Sequence, residues 1–233
     1  MTNHFTFNGR NTAEFGLLVT GTTIYGAPNR KVEKYSVPGR NGDIIVELGG
    51  YDNYIVSYDV AVINSFATNA EAIKNWLLSS NGYMRLEDTY DTSHFRLGAL
   101  YTGINYITTA LNREGRATIQ FDCKPQRFRT SGEITTNITS ASYTLNNPTV
   151  MDAKPLLRVT GTGKVTINGN EITVTDVDVS VDIDCETQQA YKGSTNCNSD
   201  ITLDEFPVLV PGNNTIILTG VTTLGVTPRW WDL

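Results

Sequence analysis

The feature that most constrains the fold lies between residues 31 and 63, where two turn signals stand between two apolar arms. Pro38-Gly39 suits a type II turn, because proline presets φ at the second position and glycine accepts a positive φ at the third. Asn41-Gly42 follows and is typical of a type I′ hairpin turn. The stretch therefore predicts a projecting β-hairpin with Arg40 at its tip. Its arms carry the apolar residues Tyr35, Val37, Ile44, Val46 and Leu48.

The segments that follow predict one long strand and one helix. Residues 54–62 alternate between apolar and other side chains, which indicates a strand with one buried face. Thr68, followed three residues later by Glu71, is the capping-box pattern of a helix start, and Gly82 suits the helix exit. We expect Trp76 to be a core residue of this helix and not a ligand contact. The predicted buried stripe is Ile73, Trp76 and Leu77.

Composition favours a mainly β protein. Thr, Val, Ile, Gly and Asn are abundant, and the length of 233 residues allows one or two domains. The net charge of −6 argues against wrapping a phosphate backbone, since that affinity comes from Lys and Arg. The same charge suits a surface along which nucleic acid slides without binding.

No targeting or redox signal is evident in the sequence. The first residues are polar and lack the apolar segment of a signal peptide, and no apolar run approaches the ~18 residues of a membrane helix. We therefore expect a soluble protein without membrane contact that is made in a cytoplasm. Cys123, Cys185 and Cys197 form no CxxC pair and are expected to be reduced, although a bond between the last two stays open.

A change in composition predicts the domain boundary. Residues 129–148 are rich in Ser, Thr and Asn and hold few large apolar groups. We expect an N-terminal domain of residues 1–135 and a C-terminal domain of residues 136–233. In the first domain, strand 116–123 is expected to bury alternate residues. These are Ala117, Ile119, Phe121 and Cys123.

The C-terminal domain is predicted to be a β-sandwich. Residues 165–174 form a near-ideal two-strand hairpin about Asn168-Gly169. Several short strands at regular spacing with no helix pattern agree with a sandwich. A further strand over residues 179–185 is expected to bury one face, made of Val179, Val181, Ile183 and Cys185.

Five groups of segments resemble the distal tail (Dit) family of siphoviruses, and their order and spacing carry the resemblance over nearly the whole chain. They are Phe5-x-Phe7-Asn8-Gly9 with Phe15-Gly16-Leu17, VPGRNGD at 37–43 with Tyr51-Asp52-Asn53-Tyr54, Lys124-Pro125-Gln126-Arg127-Phe128, FPxLxPGxN at 206–214, and PRWWxL at 228–233.

The resemblance implies a structural protein of a phage tail tip. Its N-terminal domain, which is β-sandwich-like with one α-helix and the projecting hairpin, would join copies into a ring of six. Its C-terminal domain would be a galectin-like or carbohydrate-module-like β-sandwich. The implied partners are other copies, the major tail tube protein, a tail-tip, tail-associated lysin or fibre protein, and a receptor-binding protein. DNA would pass through the lumen without specific binding.

The predicted contact residues of the ring lie on the hairpin: Arg40, Asn41, Asp43 and Tyr51. A guanidinium held on a tight turn can bind a neighbour's carboxylate through two hydrogen bonds with little loss of entropy. The sequence leaves open the alternative that Arg40 is a solvated residue at a hairpin tip.

The sequence gives little support for catalysis, a cofactor or a metal. His4 and His94 lie outside known catalytic motifs. Residues 161–166 are similar to the end of a phosphate-binding loop, but Arg158 stands where that motif needs glycine, Val165 stands where it needs serine or threonine, and no helix pattern follows. An acidic series in the C-terminal domain is expected to lie on the solvent-exposed side of a strand and not to form a calcium site. It consists of Asp176, Asp178, Asp182 and Asp184.

Trp230 and Trp231 suggest an alternative function. Aromatic faces stack on sugars, so the chain would then be a lectin-like module for host cell-wall sugars. Neighbouring residues of a strand point to opposite faces, so at most one indole can form a surface platform. A glycosidase or peptidase on the same sandwich is a third and remote hypothesis.

Overall fold

The computed structural model describes residues 3–23, 26–62, 65–109, 114–175, 177 and 179–233. These residues form two compact units, one spanning 1–127 with residue 233 and one spanning 128–232. The division falls eight residues before the predicted boundary at 135/136. The protein is mainly β, with 53% strand and 11% helix, as the composition predicts. No helix within the described ranges is long and apolar enough to span a membrane.

The first unit contains one α-helix, α1, at Phe66–Leu78, and a short 3-10 helix at Thr12–Phe15. Its strands are β1 Phe5–Phe7, β2 Arg10–Asn11, β3 Leu17–Thr22, β4 Arg30–Tyr35, β5 Ile44–Tyr51, β6 Tyr54–Val62, β7 Met84–Asp88, β8 His94–Ala99, β9 Ile107–Thr109 and β10 Glu114–Arg129.

The main sheet of this unit has the strand order β2-β1-β7-β8-β10-β6-β3, and β9 also pairs with β10. Strand β6 lies antiparallel to β10, with Val62 opposite Gly115 and Tyr54 opposite Cys123. The alternation predicted for both strands is confirmed, because their apolar positions are buried in one core. That core holds Val56, Tyr58, Val60, Val62, Ala117, Ile119, Phe121 and Cys123.

Helix α1 packs on this core through the predicted stripe. Ile73, Trp76 and Leu77 are buried, and the indole of Trp76 stacks on Phe15 with ring centroids 4.7 Å apart. Its Nε1–H donates to the carbonyl oxygen of Phe7 at 3.2 Å. Trp76 is therefore a core residue, as expected.

The predicted start of α1 is wrong. The helix begins at Phe66 instead of near Thr68, and its N-cap Ser65 makes no side-chain cap hydrogen bond. Phe66 packs against the core and lies edge-on to Tyr106, with ring centroids 5.4 Å apart. Tertiary contact by an aromatic ring thus extends the helix past the residue whose side chain could cap it.

The second unit is built from short strands and two 3-10 helices at Thr130–Glu133 and Asn198–Asp200. Its strands are β11 Thr136–Ile138, β12 Ser142–Asn147, β13 Leu156–Thr160, β14 Gly163–Ile167, β15 Asn170–Val174, β16 Ser180–Asp184, β17 Gln189–Lys192, β18 Thr195–Asn196, β19 Ile201–Leu203, β20 Gly212–Thr219, β21 Thr223–Thr227 and β22 Trp231–Asp232.

Two sheets of this unit form the predicted β-sandwich. Their strand orders are β11-β21-β13-β16-β17-β18 and β12-β20-β14-β15-β19. The inward residues of both sheets belong to one apolar core. The predicted hairpin about Asn168-Gly169 is confirmed, because both residues have positive φ, at 49° and 91°, and Ile167 pairs directly with Asn170.

One residue predicted for the buried face of β16 lies outside it. Val181, Ile183 and Cys185 are buried, but Val179 is 69% exposed and has a φ of 80°. A positive φ at a β-branched residue is a backbone outlier. The extended alternation therefore begins only at Ser180, where the strand itself begins.

Candidate interaction surface

The projecting hairpin is the clearest surface feature of the first unit. Within the described part of the chain, strands β4 and β5 pair only with each other and form a separate two-stranded sheet. All of β5 before Tyr51 is exposed. An isolated two-stranded hairpin is marginally stable in water. Such a ribbon is therefore a structure that gains stability when another surface covers it.

The pairing register divides the ribbon into two faces. Tyr35 lies opposite Ile44 and Glu33 opposite Val46, whereas Lys34 lies opposite Ile45 on the other face. The first face is largely apolar and exposed, with Tyr35 at 52%, Ile44 at 39%, Val46 at 42% and Leu48 at 57%. Contiguous exposed apolar residues of this kind are typical of protein interaction sites.

The predicted interface missed Ile45, which is 60% exposed on the second face. The signal was present in the sequence, because Ile44-Ile45-Val46 places three consecutive apolar residues in one strand. Successive side chains of a strand point to opposite faces. Such a run therefore makes both faces of a two-stranded ribbon partly apolar.

The tip of the hairpin contains the predicted type II turn. The backbone N–H of Arg40 donates to the carbonyl oxygen of Val37 at 3.1 Å, and Gly39 has a φ of 80°. The type I′ turn predicted at Asn41-Gly42 is wrong, because Gly42 has positive φ but Asn41 does not. Residues 36–43 form a longer connection instead, since Pro38 has no N–H for a strand ladder.

The charged residues of the tip are available to a partner. Arg40 and Asp43 are exposed, and neither forms an ion pair with any described residue. Asn41 is also exposed. The structure thus brings Arg40, Asn41 and Asp43 together at one end of the ribbon.

Tyr51 lies at the opposite end of the hairpin. The guanidinium carbon of Arg30 is 5.8 Å from the centre of its ring, and Arg30 also forms an ion pair with Glu47 at 3.4 Å. Next to it, the N–H of Asp52 donates to the carbonyl oxygen of Asn29 at 2.8 Å. Tyr51 therefore belongs to the base of the hairpin and not to its tip.

A second surface of the same unit lies on the sheet face opposite the core. Here Asp59 of β6 lies opposite Thr118 of β10, and its carboxylate accepts a 2.7 Å hydrogen bond from the Thr118 hydroxyl. An open depression of about 850 Å³ surrounds these residues. Its lining also includes Thr20, Asn105, Ile107, Arg116 and Gln120.

A polar cluster lies buried in the first unit. The hydroxyl of Tyr58 donates to Asp88 at 2.7 Å, and the guanidinium of Arg96 lies 3.6 Å from the same carboxylate and donates to the hydroxyl of Tyr54 at 2.9 Å. Burial, together with the Asp88 charge, holds the pKa of Tyr58 well above its usual value. All four groups have partners inside the protein, which is typical of a structural network.

The ring of His94 contacts two polar residues that precede β8. The Nδ1 atom of His94 lies 2.8 Å from Asp91 and 2.9 Å from the Ser93 hydroxyl. Burial is the largest single influence on Asp91 and acts to raise its pKa, but the hydrogen bonds from His94 and Ser93 together with the charges of His94 and Arg127 outweigh it, so that pKa lies below its usual value. In a relay the acid and the nucleophile bind opposite nitrogens of the ring, whereas here both meet one nitrogen. His4 lies near the start of the same loop, between β7 and β8, because its backbone N–H donates to the hydroxyl of Thr89 at 3.1 Å.

The cysteines are buried free thiols. Burial raises the pKa of Cys123 and of Cys185 to about 12, so these thiols stay protonated and unreactive near neutral pH. No group of His, Cys, Asp and Glu within the described ranges has the arrangement of a metal site.

The acidic series in the second unit does not form one solvated side. Asp182 is paired with Arg158 at the surface, at 2.7 Å. Asp184 is instead only 7% exposed, and its two oxygens accept hydrogen bonds from Arg229 at 2.7 and 3.0 Å. The expectation for Asp184 is therefore wrong, because a partly buried arginine partner replaces water. Asp176 and Asp178 lie outside the described residues.

The two tryptophans near the C-terminus differ in burial. Trp230 is 5% exposed and belongs to the core of the second unit. Trp231 is half-buried, and its Nε1–H donates to the carbonyl oxygen of Asp152 at 2.8 Å. Trp231 is thus the more exposed member of the pair, and its contact with sugar stays a prediction.

Comparison with known proteins identifies the fold. No protein-family model and no curated protein matches the sequence. The structure is similar to the Dit protein of phage SPP1, described as a paradigm of the hub of the adsorption apparatus in phages of Gram-positive bacteria, with a TM-score of 0.73 and 14% identity over 100% of both chains.

Two baseplate structures agree with that similarity. A chain of the phage p2 baseplate in its activated conformation with strontium matches with a TM-score of 0.54 and 10% identity, and the calcium form matches with 0.53 and 11%. Each match covers 97% of this chain and 98% of the other. The protein thus has the fold of siphovirus distal tail proteins over its whole length, as the resemblance of its sequence predicted.

Proposed function

We propose that the protein is a structural hub subunit of a phage tail baseplate and that its copies join into a closed ring. The observation that carries this proposal is the exposed β4–β5 ribbon, whose apolar face and charged tip have no cover within the described residues of the chain. The shared fold of baseplate hub proteins supports the same role.

The ring forms through the hairpin residues Arg40, Asn41, Asp43 and Tyr51. The hairpin of one copy contacts a different surface of the next, which makes the interface head-to-tail, and such interfaces close into rings when the rotation permits. The family resemblance favours six copies. Covering the ribbon removes exposed strand edges and apolar area from water.

The wider assembly follows from the family resemblance. The ring lies at the virion tail tip, between the major tail tube protein and a tail-tip, tail-associated lysin, fibre or receptor-binding protein. DNA passes through its lumen without specific binding, in agreement with the net charge of −6. The protein is made in the bacterial host cytoplasm and acts by assembly, not by catalysis.

The Arg40→Glu variant tests the proposal. Charge reversal at the tip removes a bidentate partner of a carboxylate and adds repulsion, so we expect rings to give way to folded single chains. Mass photometry and negative-stain images of the purified protein measure this change. Thermal unfolding of the isolated chain should not change, because Arg40 is exposed and has no partner in the described chain.

Lys74→Glu is the matched control. It makes the same charge change on the exposed side of α1, where Lys74 has no ion pair within the described residues, and it should leave the rings intact. Rings that persist in Arg40→Glu would remove Arg40 from the interface. A wild-type protein that stays a single chain at every concentration would contradict the ring itself.

A further inference from the structure

We propose that the depression around Asp59 and Arg116 receives the hairpin tip of a second copy of this chain. This inference rests on the proposed function and names the surface that the ring contact needs on the neighbour. The depression is open to solvent and has a volume of about 850 Å³. It lies on the sheet face opposite the apolar core of the first unit.

The charges of the depression match those of the tip. Arg116 is exposed and has no ion pair within the described residues, and the carboxylate of Asp59 is exposed and accepts the hydrogen bond of the Thr118 hydroxyl. The tip offers Asp43 and Arg40, which have no ion-pair partners among the residues that the structure describes. One acid and one base on each side allow two pairs, Arg40 with Asp59 and Asp43 with Arg116.

The spacing of the charges is compatible on the two sides. Thr118 lies opposite Asp59, so Arg116 is its diagonal neighbour, and diagonal neighbours on adjacent strands are about 7–8 Å apart. Arg40 and Asp43 are three residues apart along the tip, so their Cα atoms can be at most about 10 Å apart. Both pairs can therefore form at once.

Apolar residues near the depression match the apolar face of the ribbon. Ile107 lines the depression and is 74% exposed, Tyr101 in the same connection is 66% exposed, and Ile55 on the same sheet face is 51% exposed. The tip end of the ribbon carries Val37 and Ile44, which are 38% and 39% exposed. Contact between these sets would bury apolar area around the two ion pairs.

The occupant is a second copy and not the tip of the same chain. Arg40 and Asp43 contact neither Asp59 nor Arg116 within one chain, and all four are exposed. Donor and acceptor are different surfaces of one unit, so each copy can give its tip to one neighbour and receive the tip of another. This arrangement is the head-to-tail geometry that a ring requires.

A charge-swap cycle tests the pairing. Arg40→Glu and Asp59→Arg should each raise the dissociation constant of the assembly about tenfold or more, whereas the double variant should return to within about threefold of wild type. Analytical ultracentrifugation over a concentration series measures all four proteins. Recovery in the double variant is the result that a merely destabilised fold would not produce.

A second pair and a cross-link secure the test. If Asp59→Arg does not fold, the same double-mutant cycle can be measured with Asp43→Arg and Arg116→Glu. Asp43→Cys and Arg116→Cys chains, mixed under mild oxidation, should give a disulfide-linked dimer that neither forms alone. The three natural cysteines are buried, so the introduced thiols are the accessible ones.

The outcomes separate this inference from the proposed function. Additive losses in both cycles and no mixed disulfide, with wild-type rings intact, would overturn the acceptor site and leave the ring standing. Disulfides between two Asp43→Cys chains alone would indicate a symmetric contact between tips and would overturn the head-to-tail arrangement. A wild type without any ring would overturn both.

Discussion

At the scale of residues, charged side chains differ in what they contribute according to their surroundings. The side chain of Arg158 is 64% exposed where it pairs with Asp182, and surface pairs of this kind contribute about 1 kcal/mol or less. Asp184 and Arg229 form a bidentate pair in which the carboxylate is 10% exposed. Asp184 also accepts the backbone N–H of Glu186 at 2.9 Å. Of these two pairs, the one between Asp184 and Arg229 is the one that is packed into the second unit.

We predict that Asp184→Asn lowers the free energy of unfolding by about 2 kcal/mol, because it leaves a partly buried guanidinium without its counter-charge. Loss of a fully buried pair costs about 3–5 kcal/mol, but the Arg229 side chain is 30% exposed. Urea titration measures the difference. Asp182→Asn is the control and should cost less than about 1 kcal/mol; equal losses in the two variants would contradict the prediction.

The same carboxyl group gives stability a defined pH dependence. Burial acts to raise the pKa of Asp184, but hydrogen bonds from Arg229 and from backbone N–H groups outweigh it, so that pKa lies below its usual value. Its contribution is therefore present above about pH 4, the unfolded value, and is lost as pH falls through the lower folded value. Asp184→Asn should flatten the acid branch of the stability curve in that range.

At the scale of elements, the same dipeptide has two outcomes. Asn168-Gly169 forms a two-residue turn in which both residues have positive φ, whereas Asn41-Gly42 is part of a longer connection. Strand residues flank the first directly. Pro38 precedes the second and cannot join a ladder, so the strands end earlier and Asn41 keeps a common conformation.

The base of the ribbon depends on two consecutive glycines. Gly49 and Gly50 have φ of 78° and 76°, with nothing near the position of a Cβ. They lie in a bulge, since the register moves from Arg30 opposite Tyr51 to Val32 opposite Glu47. Their conformation sets the direction in which the ribbon leaves the unit.

We predict that Gly49→Ala with Gly50→Ala weakens the ring more than the fold. A left-handed conformation costs an L-residue about 1–2 kcal/mol, which the marginal ribbon would avoid by changing shape. Mass photometry should therefore show fewer rings, while thermal unfolding of the units changes little. Gly9→Ala, at a turn with a φ of 77° and equal space around it, is the control and should keep the rings.

At the scale of the whole molecule, contacts between distant segments decide where the second unit begins. The backbone N–H of Arg129 donates to the carbonyl oxygen of Trp230, and that of Arg229 to the carbonyl oxygen of Gly132, both at 2.8 Å. A Cβ on Gly132 would lie 2.4 Å from the backbone nitrogen of Trp230. The segment before the predicted boundary is thus packed against the end of the chain.

We predict that a fragment of residues 128–233 is more stable than one of residues 136–233 by about 3 kcal/mol. The shorter fragment loses these two backbone hydrogen bonds and the ion pair of Arg129 with Asp232 at 2.6 Å. Urea unfolding followed by tryptophan fluorescence measures the difference. Equal stability of the two fragments would favour the boundary at 135/136.

The sequence by itself determined what is local in this protein: the alternation of β6 and β10, the buried stripe of α1, the turn at Pro38-Gly39 and the ribbon with its charged tip. Side-chain period and turn chemistry act over a few residues and can be read directly. The apolar character of the second face of the β4–β5 ribbon is also indicated by the sequence, in the three consecutive apolar residues Ile44-Ile45-Val46.

Tertiary structure decided what depends on residues far apart in the chain. It placed Asp184 beside Arg229, started α1 at Phe66 because of Tyr106, and brought Asp59 and Arg116 together on adjacent strands at the surface. In each of these three pairs, the sequence around one residue does not indicate the other. Sheet pairing and burial are set by the global packing of the chain.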